Sequence, residues 1–126
     1  MTKNNLNLIT SLAFLIPALL SLYYQIYLHF AIILLLTIFS VLAHMKKKSF
    51  VKFDKTFAYI LIIYNLYLLY LSKFVLVYTL SALFFVALSF LFYYKAKTEN
   101  YNLNHSLWHL CSVVITIICI LAYILA

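Results

Sequence analysis

The sequence predicts an all-α integral membrane protein, a bundle of about five transmembrane helices. Of its 126 residues, 68% are hydrophobic and only 9% are charged. A soluble domain has roughly 45–50% apolar and about 25% charged residues. A chain of this length has too small an interior to hide so much apolar surface from water, so lipid must cover the excess. A soluble globular domain is therefore excluded, and residues 1–126 form a single transmembrane domain.

The apolar stretches set the boundaries of the predicted helices. From Leu6 to His44 the chain carries no Asp, Glu, Lys or Arg. That stretch is longer than the roughly 20 residues that one span requires. Its best break is at residues 23–25, where Tyr-Tyr-Gln favours a membrane interface. The five predicted helices cover residues 6–23, 27–45, 54–72, 74–94 and 104–126.

The lysines are distributed unequally between the two sides of this arrangement. Lys73 alone lies on one side, and the other side, with the N-terminus, holds Lys3, Lys46, Lys47, Lys48, Lys52, Lys55, Lys95 and Lys97. The positive-inside rule places the lysine-rich side in the cytoplasm and the C-terminus across the membrane. The net charge of +7 then serves topology and contact with anionic lipid heads, and no nucleic-acid partner is expected.

Polar residues inside a membrane are costly, so each one is a candidate for function. His44 ends the second predicted helix, Asp54 begins the third, and His105 and His109 lie in the first turns of the fifth. All four share one predicted depth, near the lysine-rich side. The i, i+4 spacing of His105 and His109 places both imidazoles on one helix face, as in helical HExxH zinc sites. With His44 as third ligand, the set matches a catalytic zinc that keeps one position open.

Two further residues could serve such a zinc. Asp54 could hold or deprotonate the catalytic water. Ser40 lies four residues before His44 on the same face, and it could hydrogen-bond near the metal or a developing oxyanion. The alternative for Asp54 is an ion pair with a neighbouring lysine or a cap at the N-terminus of the third helix. An isolated HxxxH pair is a weak signal, because histidines are common at membrane interfaces.

The remaining polar residues have simpler interpretations. His29 lies 15 residues before His44, roughly 22 Å along a helix, so we expect an interfacial residue at the opposite end. Asn65, in the middle of the third helix, is expected to bond across to another helix. Glu99 is expected to be solvated in a loop, and Trp108 to be an interface anchor.

The pattern Ser40-x-x-x-His44, with Asp54 at the start of the next helix and the HSLWH motif at residues 105–109, resembles the CREST superfamily of membrane hydrolases. That superfamily includes alkaline ceramidases, adiponectin and progestin receptors, Per1-like enzymes that remodel GPI anchors, and the TMEM8 and myomaker group. The HSLWH motif is most similar to the TMEM8 and Per1 branches. Residues 53–59, FDKTFAY, are similar to the aspartate-bearing helix there.

The resemblance implies a zinc held by three histidines within a core of seven helices, with an Asp and a Ser nearby. Carried over to this chain, the ligands would be His44, His105 and His109. Asp54 would bind the catalytic water, and Ser40 would lie beside the zinc. Enzymes of the superfamily cleave amide or ester bonds of lipids such as ceramides and GPI anchors.

The predicted function is therefore a zinc-dependent membrane hydrolase that cleaves an amide or ester bond of a membrane lipid, ceramide-like or acyl. The chain departs from the superfamily pattern in having about five helices rather than seven. The resemblance covers residues 40–59 and 101–112, and the acidic calcium site of ceramidases has no counterpart. A reduced core could form a homo-oligomer to complete the substrate cavity.

Three other functions are compatible with the sequence. One is a non-catalytic membrane protein or lipid receptor that retains a structural zinc site. The second is an electron carrier with a bis-histidine haem. The third is a small drug exporter, which would require an acidic residue in the middle of the membrane.

Overall fold

A computed structural model describes residues 3–45 and 48–125, with the side chains of 6–45 and 49–125. All regular structure in these residues is helical, which confirms the predicted all-α membrane bundle. A 3₁₀ turn, Lys48–Phe50, precedes α4. The α-helices are α1 Lys3–Leu12, α2 Leu15–Tyr23, α3 Tyr27–His44, α4 Val51–Leu71, α5 Leu76–Thr98 and α6 Tyr101–Leu125.

The first predicted helix is broken at Ala13 and Phe14, and α1 and α2 are its two halves. Pro17 explains the break, because it has no N–H for the carbonyl of Ala13 and its ring crowds that carbonyl. The Ala13 carbonyl instead accepts the N–H of Ile16 at 3.1 Å, which tightens the turn. Together the two halves still form one candidate membrane span, Leu6–Tyr23.

The predicted break between the first and second spans is confirmed, since α2 ends at Tyr23 and α3 begins at Tyr27. Gln25, between them, turns the chain with a φ of 62° in the left-handed region. The third predicted helix begins earlier than expected. Its structural counterpart, α4, starts at Val51, which places Asp54 within the first turn.

The polar loop predicted between the last two helices is shorter than expected, because α5 continues to Thr98 and α6 begins at Tyr101. Asn100 accounts for the early start of α6. Its side-chain Oδ1 accepts the backbone N–H of Leu103 at 3.2 Å. This is the usual hydrogen bond of a residue that caps a helix N-terminus.

The helices bring the candidate site residues to one end of the bundle, called here the site end. It holds the N-termini of α1, α4 and α6 and the C-termini of α3 and α5. The contacts that fix this arrangement are His44–His105, Thr10–His109, Phe39–Phe53 and Tyr93–Trp108. His44, Asp54, His105 and His109 were predicted to share one depth, and all four lie at the site end.

Large apolar side chains cover the outside of the bundle. Leu19, Ile63, Val77 and Phe84 are all more than half exposed. A soluble monomer rarely exposes a continuous apolar surface of this kind. Lipid is the medium that can cover it.

Four stretches are long and apolar enough to cross a membrane: Leu6–Tyr23, Tyr27–His44, Leu76–Thr98 and Tyr101–Leu125. The helix α4 is not among them, because Lys52, Asp54, Lys55, Asn65 and several tyrosines lower its hydropathy. It nevertheless packs in the same bundle and has 21 residues. Five spans with a cytoplasmic site end remain a prediction.

Candidate metal centre

Three histidines from two helices meet at the site end. His44 is the last residue of α3, and His105 and His109 lie on one face of α6. One ring nitrogen of each lies within 4.8 Å of those of the other two. The Nε2 atoms of His44 and His105 are 3.2 Å apart. The predicted grouping of these three residues into a possible metal site is confirmed.

The spacing of one pair of ring nitrogens fits a tetrahedral metal ion, and all three lie within 4.8 Å of one another. At zinc–nitrogen distances of about 2.0–2.1 Å, two ligand atoms of a tetrahedral zinc are about 3.3–3.4 Å apart. The 3.2 Å between the nitrogens of His44 and His105 is close to that value. Because imidazole also suits copper, iron and nickel, the donor set defines a metal site without selecting the metal.

Aromatic rings surround the cluster. Tyr101 stacks on His105 with ring centroids 4.9 Å apart. Trp108 lies 5.3 Å from His105 on the same helix, and the edge of Phe14 approaches His109 at 6.1 Å. These rings limit the rotation of the imidazoles of His105 and His109 before any ion binds.

His109 is also held by a hydrogen bond from the N-terminal helix. Its Nδ1 lies 3.0 Å from the hydroxyl oxygen of Thr10, and both residues are 5% exposed. Because Nδ1 makes this bond, Nε2 is the ring nitrogen of His109 that is available to bind a metal. Thr10 was not identified from the sequence.

Asn7 connects the same helix to α6. Its Nδ2 donates to Oδ1 of Asn102 at 3.0 Å, and its Oδ1 accepts the hydroxyl of Ser106 at 2.7 Å. Asn7, Thr10 and Ser11 have the i, i+3, i+4 spacing of residues on one helix face. That spacing is the sequence signal that could have identified a polar face on α1.

Ser40 is fully buried and bonded to Ser11, with 2.8 Å between the two hydroxyl oxygens. The hydroxyl of Ser11 donates its one proton to the carbonyl of Asn7 at 2.8 Å. The proton shared by the two serines therefore belongs to Ser40. In this arrangement the proton of Ser40 is already used, and its hydroxyl must rotate before it can donate to an oxyanion.

Asp54 lies at the site end in the first turn of α4 and is half-buried. It is not among the residues whose ligand atoms meet within 4.8 Å. Within residues 6–45 and 49–125 no hydrogen bond of its carboxylate is present. The helix cap considered for it is wrong, because α4 begins at Val51 and Phe50 occupies the N-cap. Its part in catalysis stays a prediction.

His29 was expected to be an interfacial residue, and the structure shows it fully buried inside the bundle. Its Nε2 bonds to Oδ1 of Asn65 at 3.0 Å, and its Nδ1 bonds to the hydroxyl of Ser21 at 2.9 Å. Asn65 in turn donates to the hydroxyl of Thr116 at 3.1 Å, as expected of a residue that bonds across helices. This chain of bonds joins α2, α3, α4 and α6, and it lies apart from the metal cluster.

The geometry disfavours two of the alternative functions. A bis-histidine haem needs a porphyrin between two rings, and the nitrogens of His44 and His105 are at hydrogen-bond distance. An exporter needs an acidic residue in mid-membrane. Asp54 lies in the first turn of α4, and Glu99 is exposed just after α5, as predicted.

Trp108 is partly buried against Tyr93 and His105, so it is more than an interface anchor.

No protein-family model, curated protein or solved structure matches this chain. The resemblance to the CREST superfamily therefore rests on residues 40–59 and 101–112 alone.

Proposed function

We propose that this chain is a zinc-dependent membrane hydrolase that cleaves an amide or ester bond of a lipid. The observation that carries the proposal is the meeting of His44, His105 and His109 within 4.8 Å at one end of an apolar bundle. No fourth His, Cys, Asp or Glu of the described part of the chain joins them. Catalytic zinc sites keep such an open position, whereas structural zinc sites usually fill all four positions with protein ligands.

A zinc ion held there would polarise the carbonyl of the lipid and lower the pKa of water toward 7. Side chains of the chain itself would transfer the protons and orient the water. Asp54 accepts the proton of the attacking water and delivers it to the leaving amine or alcohol. Ser40 accepts a hydrogen bond from that water. Catalytic hydrogen bonds often form only once substrate is bound, which is why a half-buried Asp54 at the same end remains a candidate.

The depth of the site supports a lipid as substrate. His44 is the last residue of one candidate span, and His105 lies in the first turns of another. Both positions correspond to the boundary between hydrocarbon and headgroups. The amide and ester carbonyls of membrane lipids lie at that boundary. A lipid could then reach the histidines sideways, without leaving the membrane.

The proposal includes membership of the CREST superfamily as a reduced form with about five helices. The spacing of Ser40, His44, Asp54 and residues 105–109 supports it. A homo-oligomer that completes the substrate cavity belongs to the same proposal.

A second candidate is a non-catalytic membrane protein, or a lipid receptor, with a zinc site that stabilises the fold. The observation that favours it is the position of Asp54, which is not part of the histidine cluster. In this case the zinc would hold α3 to α6, and Asp54 would serve only to interact favourably with the N-terminus of α4.

Metal analysis followed by a lipid assay tests both candidates. The full chain, purified in detergent, should contain about one equivalent of zinc, and His109→Ala should lose it. The matched control is Cys111→Ala, which removes a buried thiol two residues further along α6 and should keep the zinc. Zinc-loaded protein is then incubated with ceramides, acyl-amides and phospholipids, and free fatty acid is measured.

The outcomes separate the candidates. Fatty acid release that His109→Ala abolishes supports the hydrolase. Full zinc with no release from any lipid supports the non-catalytic protein instead. A wild-type chain that is filled with iron or haem would rule out both.

A further inference from the structure

The bond between Thr10 and His109 joins a residue of α1 to a candidate metal ligand 99 positions away. Their side-chain atoms are 3.0 Å apart and both residues are buried. The hydroxyl oxygen of Thr10 also lies 3.1 Å from the carbonyl of Leu6 and 3.2 Å from that of Asn7. Three partners therefore compete for one hydroxyl group.

The proton inventory limits the possible directions of these bonds. A threonine hydroxyl has one proton and two lone pairs, and backbone carbonyls can only accept. Two carbonyls of α1 lie within reach of the Thr10 proton, and when the proton points to either of them, the Thr10 oxygen accepts from His109. His109 must then carry its proton on Nδ1. Its Nε2 is left with a bare lone pair, the form that binds a metal.

We propose that Thr10 is a positioning residue that fixes His109 in the tautomer competent to bind a metal. The proposal rests on the metal site of the proposed function and adds the residue that prepares it. Histidine ligands usually donate their second ring N–H to such a partner, and losing the partner typically lowers metal affinity about 10–100-fold. The metal itself would be held by His44, His105 and His109, and Thr10 would not contact it.

Zinc affinity of the full chain in detergent, measured by competition with a chelator, tests the proposal. Thr10→Val removes the hydroxyl at nearly constant shape and should weaken zinc binding about 10–100-fold. Thr10→Ser keeps the hydroxyl and should bind zinc within a few-fold of wild type. The matched control is Thr37→Val, which removes a buried hydroxyl bonded only to the carbonyl of Ile33 in its own helix. It should leave the affinity unchanged.

A second measurement is made on the wild type and needs no metal, with one variant used only to assign the signals. The ¹⁵N chemical shifts of the His109 ring in the metal-free wild type, assigned with His109→Gln, report which nitrogen carries the proton. A proton on Nδ1 supports the proposal, and a proton on Nε2 overturns it. Equal zinc affinity of Thr10→Val and wild type also overturns it.

Affinity and tautomer are both measured without turnover. A wild-type chain that binds zinc but hydrolyses no lipid refutes the hydrolase. The role of Thr10 is tested separately, by zinc affinity and by the tautomer of His109. A wild-type chain that binds no zinc overturns the metal site and the role of Thr10 together.

Discussion

The Nε2 atoms of His44 and His105 lie 3.2 Å apart, where the end of α3 meets the start of α6. Without an ion, one of these nitrogens must carry a proton and the other must accept it. A metal requires lone pairs on both, so binding must move that proton away from the pair. Protonation of any of the three imidazoles to imidazolium also removes a lone pair that the metal needs, so metal affinity should fall as the pH is lowered.

Trp108 should report metal binding directly. It is the chain's one tryptophan, and its ring lies 5.3 Å from His105 and 6.0 Å from His109. Titration of the metal-free protein with Co²⁺ should quench its fluorescence and saturate near one equivalent. In His44→Ala, which leaves the neighbours of Trp108 on α6 in place, the quenching should be lost. Equal quenching of wild type and His44→Ala would place the bound ion elsewhere.

Asp54→Asn separates catalysis from metal binding. The amide keeps the shape of the carboxylate but cannot accept the proton of the attacking water. The variant should keep its zinc and its fold, and lipid hydrolysis should fall roughly 10²–10⁴-fold. Glu99→Gln is the matched control, because it neutralises the chain's other acidic residue, which is exposed, and should leave the rate unchanged. An Asp54→Asn variant as active as wild type would remove Asp54 from the mechanism.

The topology depends on whether α4 crosses the membrane. With five spans the N-terminus lies in the cytoplasm and the C-terminus on the opposite side. With only the four most apolar stretches crossing, both termini lie on one side. Reporter fusions at the two ends distinguish the cases, and a third fusion in the turn at Lys73 should report the side opposite to the N-terminus. Termini in the same compartment would contradict the five-span prediction.

Asn65→Leu should destabilise the bundle without affecting zinc. It removes the partner that α4 provides to the buried His29 and Thr116, at an expected cost of about 1–3 kcal/mol. A typical single bond between membrane helices contributes only about 0.6 kcal/mol. Unfolding by detergent titration measures the difference. Ser89→Ala, whose hydroxyl bonds only within its own helix, should cost less. Equal stability of Asn65→Leu and wild type would contradict this role.

Much of the bundle could be predicted from the sequence, because hydropathy and charge determine which stretches can be spans. The break after Tyr23 and the grouping of His44 with His105 and His109 were both predicted. The break within the first span was not, although Pro17 carried the signal. A proline removes a hydrogen bond to the residue four positions earlier, and that residue is Ala13.

The residues that support the site were harder to predict. The position of a residue along a helix predicts its depth in the membrane. It does not predict how the helix is rotated about its axis, and that rotation decides whether His29 faces lipid or the bundle interior. For the same reason, Thr10 could not be paired with His109 before the packing of α1 was known. Asp54 has the right depth, yet depth alone does not bring a carboxylate to the cluster.

The break at Ala13 and Phe14 has a consequence for how the protein opens. The break separates the ten-residue α1 from α2, so contacts with the rest of the bundle must hold α1 in place. It is joined to the site end through hydrogen bonds of Asn7, Thr10 and Ser11. Local opening of α1 would break the support of His109, and by thermodynamic linkage an ion bound to His109 opposes that opening. The amide hydrogens of α1 should therefore exchange with solvent more slowly when a metal ion is bound. Their exchange rate would then report metal occupancy.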